Sequence, residues 1–122
     1  MNRIRVATNF MLNEFQCTGS GQVHDHVMLC EDLLGRLQKL RTAIGRPIII
    51  NSAFRCPERN RQVGGSPNSQ HMLGKAVDIR VNGMTPAQVA AEAEKIGFKG
   101  IGIYRNFVHL DTRTGANSRW NG

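Results

Sequence analysis

The stretch Ser69-Gln70-His71-Met72-Leu73-Gly74-Lys75-Ala76-Val77-Asp78-Ile79-Arg80-Val81 decides how the rest of the chain is read. From Lys75 to Val81 it alternates. Ala76, Asp78 and Arg80 fall on one side, and Val77, Ile79 and Val81 on the other, which predicts a strand with one buried face. Ahead of that strand stands one imidazole, His71, seven positions before the Asp78 carboxylate. A half-buried strand needs partner strands and a layer over its apolar face.

Downstream, Thr85-Pro86-Ala87-Gln88 opens a helix, with Thr85 as N-cap, Pro86 in the first position and Gln88 closing a capping box. Gly97 ends it. Gly100–Tyr104 and Phe107–Asp111 read as two strands, and the short Arg105-Asn106 link predicts a hairpin. Upstream, Cys30, Leu33, Leu34, Leu37, Leu40 and Ile44 recur at helical spacing and predict a long helix over 26–44, stopped by Gly45 and Pro47. The apolar run Pro47–Ile50 reads as a short strand. Residues 57–63 read as a short helix with Pro57 in its first turn, and 64–68 as a turn-rich loop. The opening segment to about Cys17 reads as an extended arm that packs Phe10, Leu12 and Phe15. The sum is an α+β domain over residues 1–122, with helices on one side of a small, mostly antiparallel sheet.

Composition bounds the function. At 122 residues, 40% apolar and 6% aromatic, the chain suits one core. No apolar run reaches membrane-spanning length, so no membrane insertion is expected. The start, MNRIRVATNF, lacks an apolar h-region, so synthesis in the cytoplasm without a secretory signal is expected. The net charge of +7, from 16 Lys and Arg against 9 Asp and Glu, favours an anionic partner, such as nucleic acid or a polyanionic wall. Nucleic-acid binding would need a clustered basic face with stacking aromatics, and the basic residues are scattered. The three cysteines, Cys17, Cys30 and Cys56, form no CxxC pair and read as reduced thiols, with a Cys17–Cys30 bridge as the alternative.

Three side chains stand out as metal donors: His71 before the 75–81 strand, Asp78 on it and His109 on a later strand. Two nitrogens and one oxygen, with a fourth position for water, are the donor pattern of catalytic zinc sites. Spacing alone does not establish that the three converge.

The motifs extend this reading. Ser69-x-His71-x-x-Gly74-x-Ala76-x-Asp78, the later Phe107-Val108-His109-Leu110-Asp111 and the upstream Ser52-Ala53-Phe54-Arg55-Cys56-Pro57 together resemble the zinc peptidase family M15. That group includes D-Ala-D-Ala carboxypeptidases and phage L-alanyl-D-glutamate endolysins. The resemblance runs from about Asn9 to Trp120. It implies a hedgehog/D-Ala-D-Ala-peptidase-like zinc fold and a zinc ion held by His71, Asp78 and His109. It also implies hydrolysis of peptidoglycan stem-peptide bonds by a monomer that reaches the cell wall after release, as a phage or prophage lysis enzyme would. Arg55 matches the family's arginine near the metal, where a bidentate cation would hold a substrate carboxylate or a developing oxyanion. Ser69 either touches substrate or caps its turn, and Tyr104 and Trp120 either contact substrate or cover the sheet.

The chain departs from the family at one point. Many members carry Glu or Asp three residues before the last histidine; Asn106 stands there, and Phe107 stands where relatives with an HxH pair have histidine. Asp111 then serves either as the base or as a group bonded to a ligand histidine, with His24 and His26 as further candidates for the base. The alternative to an enzyme is a catalytically inactive zinc-holding module of the same fold that binds cell wall.

Overall fold

The computed structural model describes residues 5–15, 29–54, 61, 64 and 69–122, with only the backbone at Leu12, Asn13 and Met72. The helix expected over 57–63 and the loop over 64–68 lie outside the described residues apart from Arg61 and Gly64, as do Cys17, Cys56, His24 and His26. Cys30 is a free thiol.

Strands β1 (Arg5–Ala7) and β2 (Phe10–Met11) form a small antiparallel ribbon, followed by a 3-10 turn over Leu12–Phe15. Then come α1 (Glu31–Ile44), β3 (Ile49–Ser52), a 3-10 turn over Gln70–Leu73, β4 (Ala76–Arg80), α2 (Pro86–Ile96), β5 (Gly100–Ile103), β6 (Val108–Asp111) and β7 (Ser118–Asn121). The main sheet runs β3-β4-β6-β5-β7, antiparallel throughout except for the parallel β5–β7 pair.

Helix α2 has the expected start: the Thr85 hydroxyl accepts from the Gln88 backbone, and the Gln88 side chain accepts from the Thr85 backbone. Helix α1 begins at Glu31, later than its periodicity suggests. Cys30 stays extended because its N–H is given to the Gly74 carbonyl at 2.9 Å, a tertiary bond that ties the helix start to the turn before β4. Strand β3 lies two residues later than the apolar run, since pairing with β4 sets Ile50 opposite Ile79 and Ser52 opposite Asp78. The C-terminal strand β7 was not expected. Ser-Arg-Trp-Asn has no apolar run, and its backbone is recruited by the free edge of β5.

The two faces of the sheet divide the labour. Val77, Ile79, Ile101, Val108 and Leu110 are buried in one core with Leu33, Leu37 and Leu40 of α1 and Val89, Ala90 and Ala93 of α2. Each such valine, leucine or isoleucine side chain contributes about 1.5–3 kcal/mol by leaving water. The opposite face carries the polar set. Strand register places Asp78, His109, Gly102 and Trp120 side by side in one row across β4, β6, β5 and β7, and Ala76, Asp111, Gly100 and Ser118 in the next.

Candidate metal centre

Asp78 and His109 face each other because their backbones pair across β4 and β6. His71 arrives from outside the sheet, on a 3-10 turn where the Ser69 hydroxyl accepts from the His71 backbone N–H at 3.2 Å. Gly74 ends that turn at φ 69°, a left-handed conformation that glycine adopts without strain, so the chain can reverse into β4 and bring His71 back over Asp78. His71 is 2% exposed.

The ring nitrogens are oriented by what lies behind them. His71 Nδ1 is 2.7 Å from the Ala53 carbonyl, which can only accept, so Nδ1 carries the proton and Nε2 faces the site. His109 Nε2 is 2.7 Å from Asp111 Oδ2, so His109 presents Nδ1. Both presented nitrogens meet the same oxygen: His71 Nε2 is 3.1 Å and His109 Nδ1 is 3.0 Å from Asp78 Oδ1. Among the described residues these three form the group whose donor atoms all lie within 4.8 Å of one another.

The donor set fits a divalent cation. With both outer ring protons committed to fixed acceptors, neutral rings aim two lone pairs at a carboxylate oxygen, so that three acceptors converge. A tetrahedral zinc ion with nitrogen and oxygen ligands at about 2.0–2.1 Å spaces those ligands about 3.3 Å apart, close to the 3.1 and 3.0 Å that separate Asp78 Oδ1 from His71 Nε2 and His109 Nδ1. Each histidine also gives its outer N–H to a carbonyl or carboxylate, as metal-ligating histidines do.

Electrostatics follows the same geometry. Burial works against charge on Asp78, but its interactions with His109 and His71 outweigh it and hold the carboxyl far below the usual carboxylate range. Burial likewise opposes a charged His109, and its bonds to Asp111 and Asp78 overcome this and raise its pKa. Asp111 is fully buried, and despite burial its pKa is held very low by Arg113 and His109. Both of its oxygens are engaged, Oδ1 by the Arg113 backbone N–H and Nε, and Oδ2 by Arg113 Nη2 and His109 Nε2. That arrangement suits orientation of His109 better than uptake of a proton.

The other expected site residues are distributed as follows. Arg55 lies outside the described residues. Ser69 spends its hydroxyl on the turn. Trp120 is beside the centre, its ring 5.1 Å from that of His109, and its Nε1 donates to the Tyr104 hydroxyl at 2.9 Å. Tyr104 stacks on Phe107 at 4.5 Å, so these aromatics form a wall next to His109. Asn106 lines a small cavity with Pro86, Val89 and Val108.

Three contributors were missed in the sequence: the Ala53 carbonyl, Arg113, and the glycine pair Gly100 and Gly102. A Cβ on Gly100 would overlap the Asp111 carboxyl group, and one on Gly102 would overlap the Trp120 indole. Alternate glycines on a strand beside a ligand strand are the signal that was available, since a strand glycine often marks close approach by another group.

A family model described as Peptidase M15 matches residues 8–111. The zinc D-Ala-D-Ala carboxypeptidase of Streptomyces albus G is 39% identical over 67 residues, covering 54% of this chain and 26% of that protein. The probable peptidoglycan L,D-endopeptidase MepK of Haemophilus influenzae is 38% identical over 66 residues, covering 52% of this chain and 34% of its own length. The peptidoglycan L,D-endopeptidase MepK of Escherichia coli K12 is 28% identical over 89 residues, 66% of this chain and 49% of that protein. The chain thus spans from about a quarter to about half of the length of these relatives.

Proposed function

Because the chain belongs to the peptidase M15 family, we propose that it is a zinc-dependent peptidase that cuts stem-peptide bonds of bacterial peptidoglycan. The observation that carries this reading is the convergence of His71 Nε2 and His109 Nδ1 on Asp78 Oδ1. His71, Asp78 and His109 would hold the zinc ion, which would supply Lewis acidity toward the scissile carbonyl and lower the pKa of a water. The chain's own residues do the rest. Asp78 contributes the negative charge of the donor set, Ala53 and Asp111 fix the two rings, and Arg55 holds the substrate carboxylate or the developing oxyanion. Tyr104 and Trp120 bound the substrate side of His109. The enzyme acts as a monomer on the wall, without nucleic-acid partner or membrane insertion, after release in the manner of a phage or prophage lysis enzyme. Among the described residues no helix is long and apolar enough to cross a membrane.

The test is digestion of purified peptidoglycan with and without a chelator, followed by zinc re-addition. Chelator-sensitive appearance of free D-alanine would identify a carboxypeptidase, and new amino termini inside the stem peptide an endopeptidase. Two observations favour the second reading, an inactive wall-binding module: residue 106 is asparagine, and both Asp111 oxygens are engaged. Absence of product from fully zinc-loaded protein that still sediments with peptidoglycan would select it.

The raised His109 pKa gives two pH dependences of opposite sign. Zinc affinity is expected to fall with acid, starting above the ordinary histidine value of 6.5, because a protonated ring cannot ligate. The metal-free protein holds that proton more tightly than the unfolded chain does. The extra stability is therefore full below 6.5 and is lost as pH rises through the higher folded value. Zinc competition and thermal unfolding of the metal-free protein between about pH 5 and about pH 8 check both; slopes of the same sign would contradict the assignment.

A further inference from the structure

We propose that Arg113 is a positioning residue of the metal centre: it fixes the Asp111 carboxylate and, through it, the ring orientation in which His109 presents Nδ1. The inference rests on the zinc reading above and adds a residue beyond the 8–111 segment that the family match covers.

The two ligand histidines are held differently. His71 is oriented by a main-chain carbonyl, that of Ala53, whose direction is set by the backbone. His109 is oriented by a side chain, and a carboxylate can turn about its own bonds unless something holds its plane. Arg113 does this in three places. Its backbone N–H reaches Asp111 Oδ1 at 3.1 Å, its Nε reaches the same oxygen at 2.9 Å, and its Nη2 reaches Oδ2 at 2.7 Å. The two side-chain bonds form a planar fork, the geometry in which arginine orients a carboxylate as well as neutralising it. The remaining direction of Oδ2 is then aimed at His109 Nε2, 2.7 Å away.

Arg113 also reaches the other support of the same ring. Its guanidinium lies over the Trp120 indole, 5.3 Å from the ring centroid, and that indole leans on His109. Trp120 is pinned along its edge by Tyr104 and rests over Gly102. Arg113 therefore engages both Asp111 and Trp120, each of which touches the His109 ring, and among the described residues its hydrogen bonds all go to Asp111, none to His71. Its loss should loosen one ligand and leave the other as it was, which a general loss of stability would not do.

The probe is Co2+ bound to the full chain, compared in wild type, Arg113→Ala, Arg113→Lys and Asp111→Asn. In the loaded wild type the outer ring N–H protons of His71 and His109 are expected as two exchangeable, paramagnetically shifted resonances. Arg113→Ala should lose one of them to solvent exchange, the same one that Asp111→Asn perturbs, and weaken Co2+ binding on the order of tenfold. Arg113→Lys keeps the charge without the fork; it should recover part of the affinity while the same resonance stays exchange-broadened, and it carries the comparison if the alanine variant fails to fold. Wild-type affinity with both resonances retained in the variants would overturn the proposal, and so would equal loss of both resonances. A wild type that takes up no Co2+ would overturn the zinc reading and this inference with it.

Discussion

Replacing His109 by alanine is expected to leave the protein unable to retain zinc through dialysis, with an affinity loss well beyond the roughly 10–100-fold typical when only an outer partner of a ligand is removed. The reason is the economy of the site. His109 Nδ1 is one of three donors, and it comes with its own orientation by Asp111. Removing it leaves one imidazole and one carboxylate, too few to outcompete water for the metal. His71→Ala should do the same, and Asp78→Ala should be at least as damaging because it removes the one negative charge in the set. Asp111→Asn keeps all three donors and should fall in the milder range. Metal content after dialysis and zinc titration measure the order of these effects, and unchanged zinc in His71→Ala or His109→Ala would dispose of the ligand assignment.

Gly100→Ala is expected to be the most damaging single-methyl change in the sheet. The added Cβ would occupy the space of the Asp111 carboxyl group, which is fully buried and forked to Arg113. Neither side can yield easily. Gly100 is paired in β5 directly opposite Asp111 in β6, and Asp111 cannot swing away without breaking bonds to both Arg113 and His109. Disrupting a buried charged pair costs about 3–5 kcal/mol. For a domain of this size that is a fall in Tm of more than about 10 °C. The same variant should bind zinc more weakly, since the group that aims His109 has been displaced. Thermal unfolding with and without zinc separates the two effects. A variant with wild-type Tm and affinity would mean that Asp111 is not held where the structure places it.

Much of the scaffold was legible in advance because its signals are local. The capping box at Thr85 and Gln88, the glycine stops at Gly45 and Gly97, and the alternation through Ala76–Arg80 each depend on neighbours within a few residues. The errors came where a distant partner overrode a local pattern. Helix α1 starts late because Cys30 bonds to Gly74, and β3 shifts because β4 sets its register. Strand β7 has no pattern of its own and exists because the edge of β5 accepts it.

The site divides along the same line. By itself the sequence determined the chemical inventory: two histidines and one aspartate of ligand type, and an Asp111 able to orient one of them. Those are properties of residue types and short spacings. Only the tertiary structure decided that His71, Asp78 and His109 share one point, that Trp120 stands beside them, and that Gly100 and Gly102 clear space for Asp111 and the indole. It also decided that Arg113 holds Asp111. The alternation of a strand tells which side chains share a face, but not which strand lies alongside or in what register. Here that register, Asp78 against His109 and Asp111 against Gly100, is what turns a set of polar residues into a centre that can hold a metal.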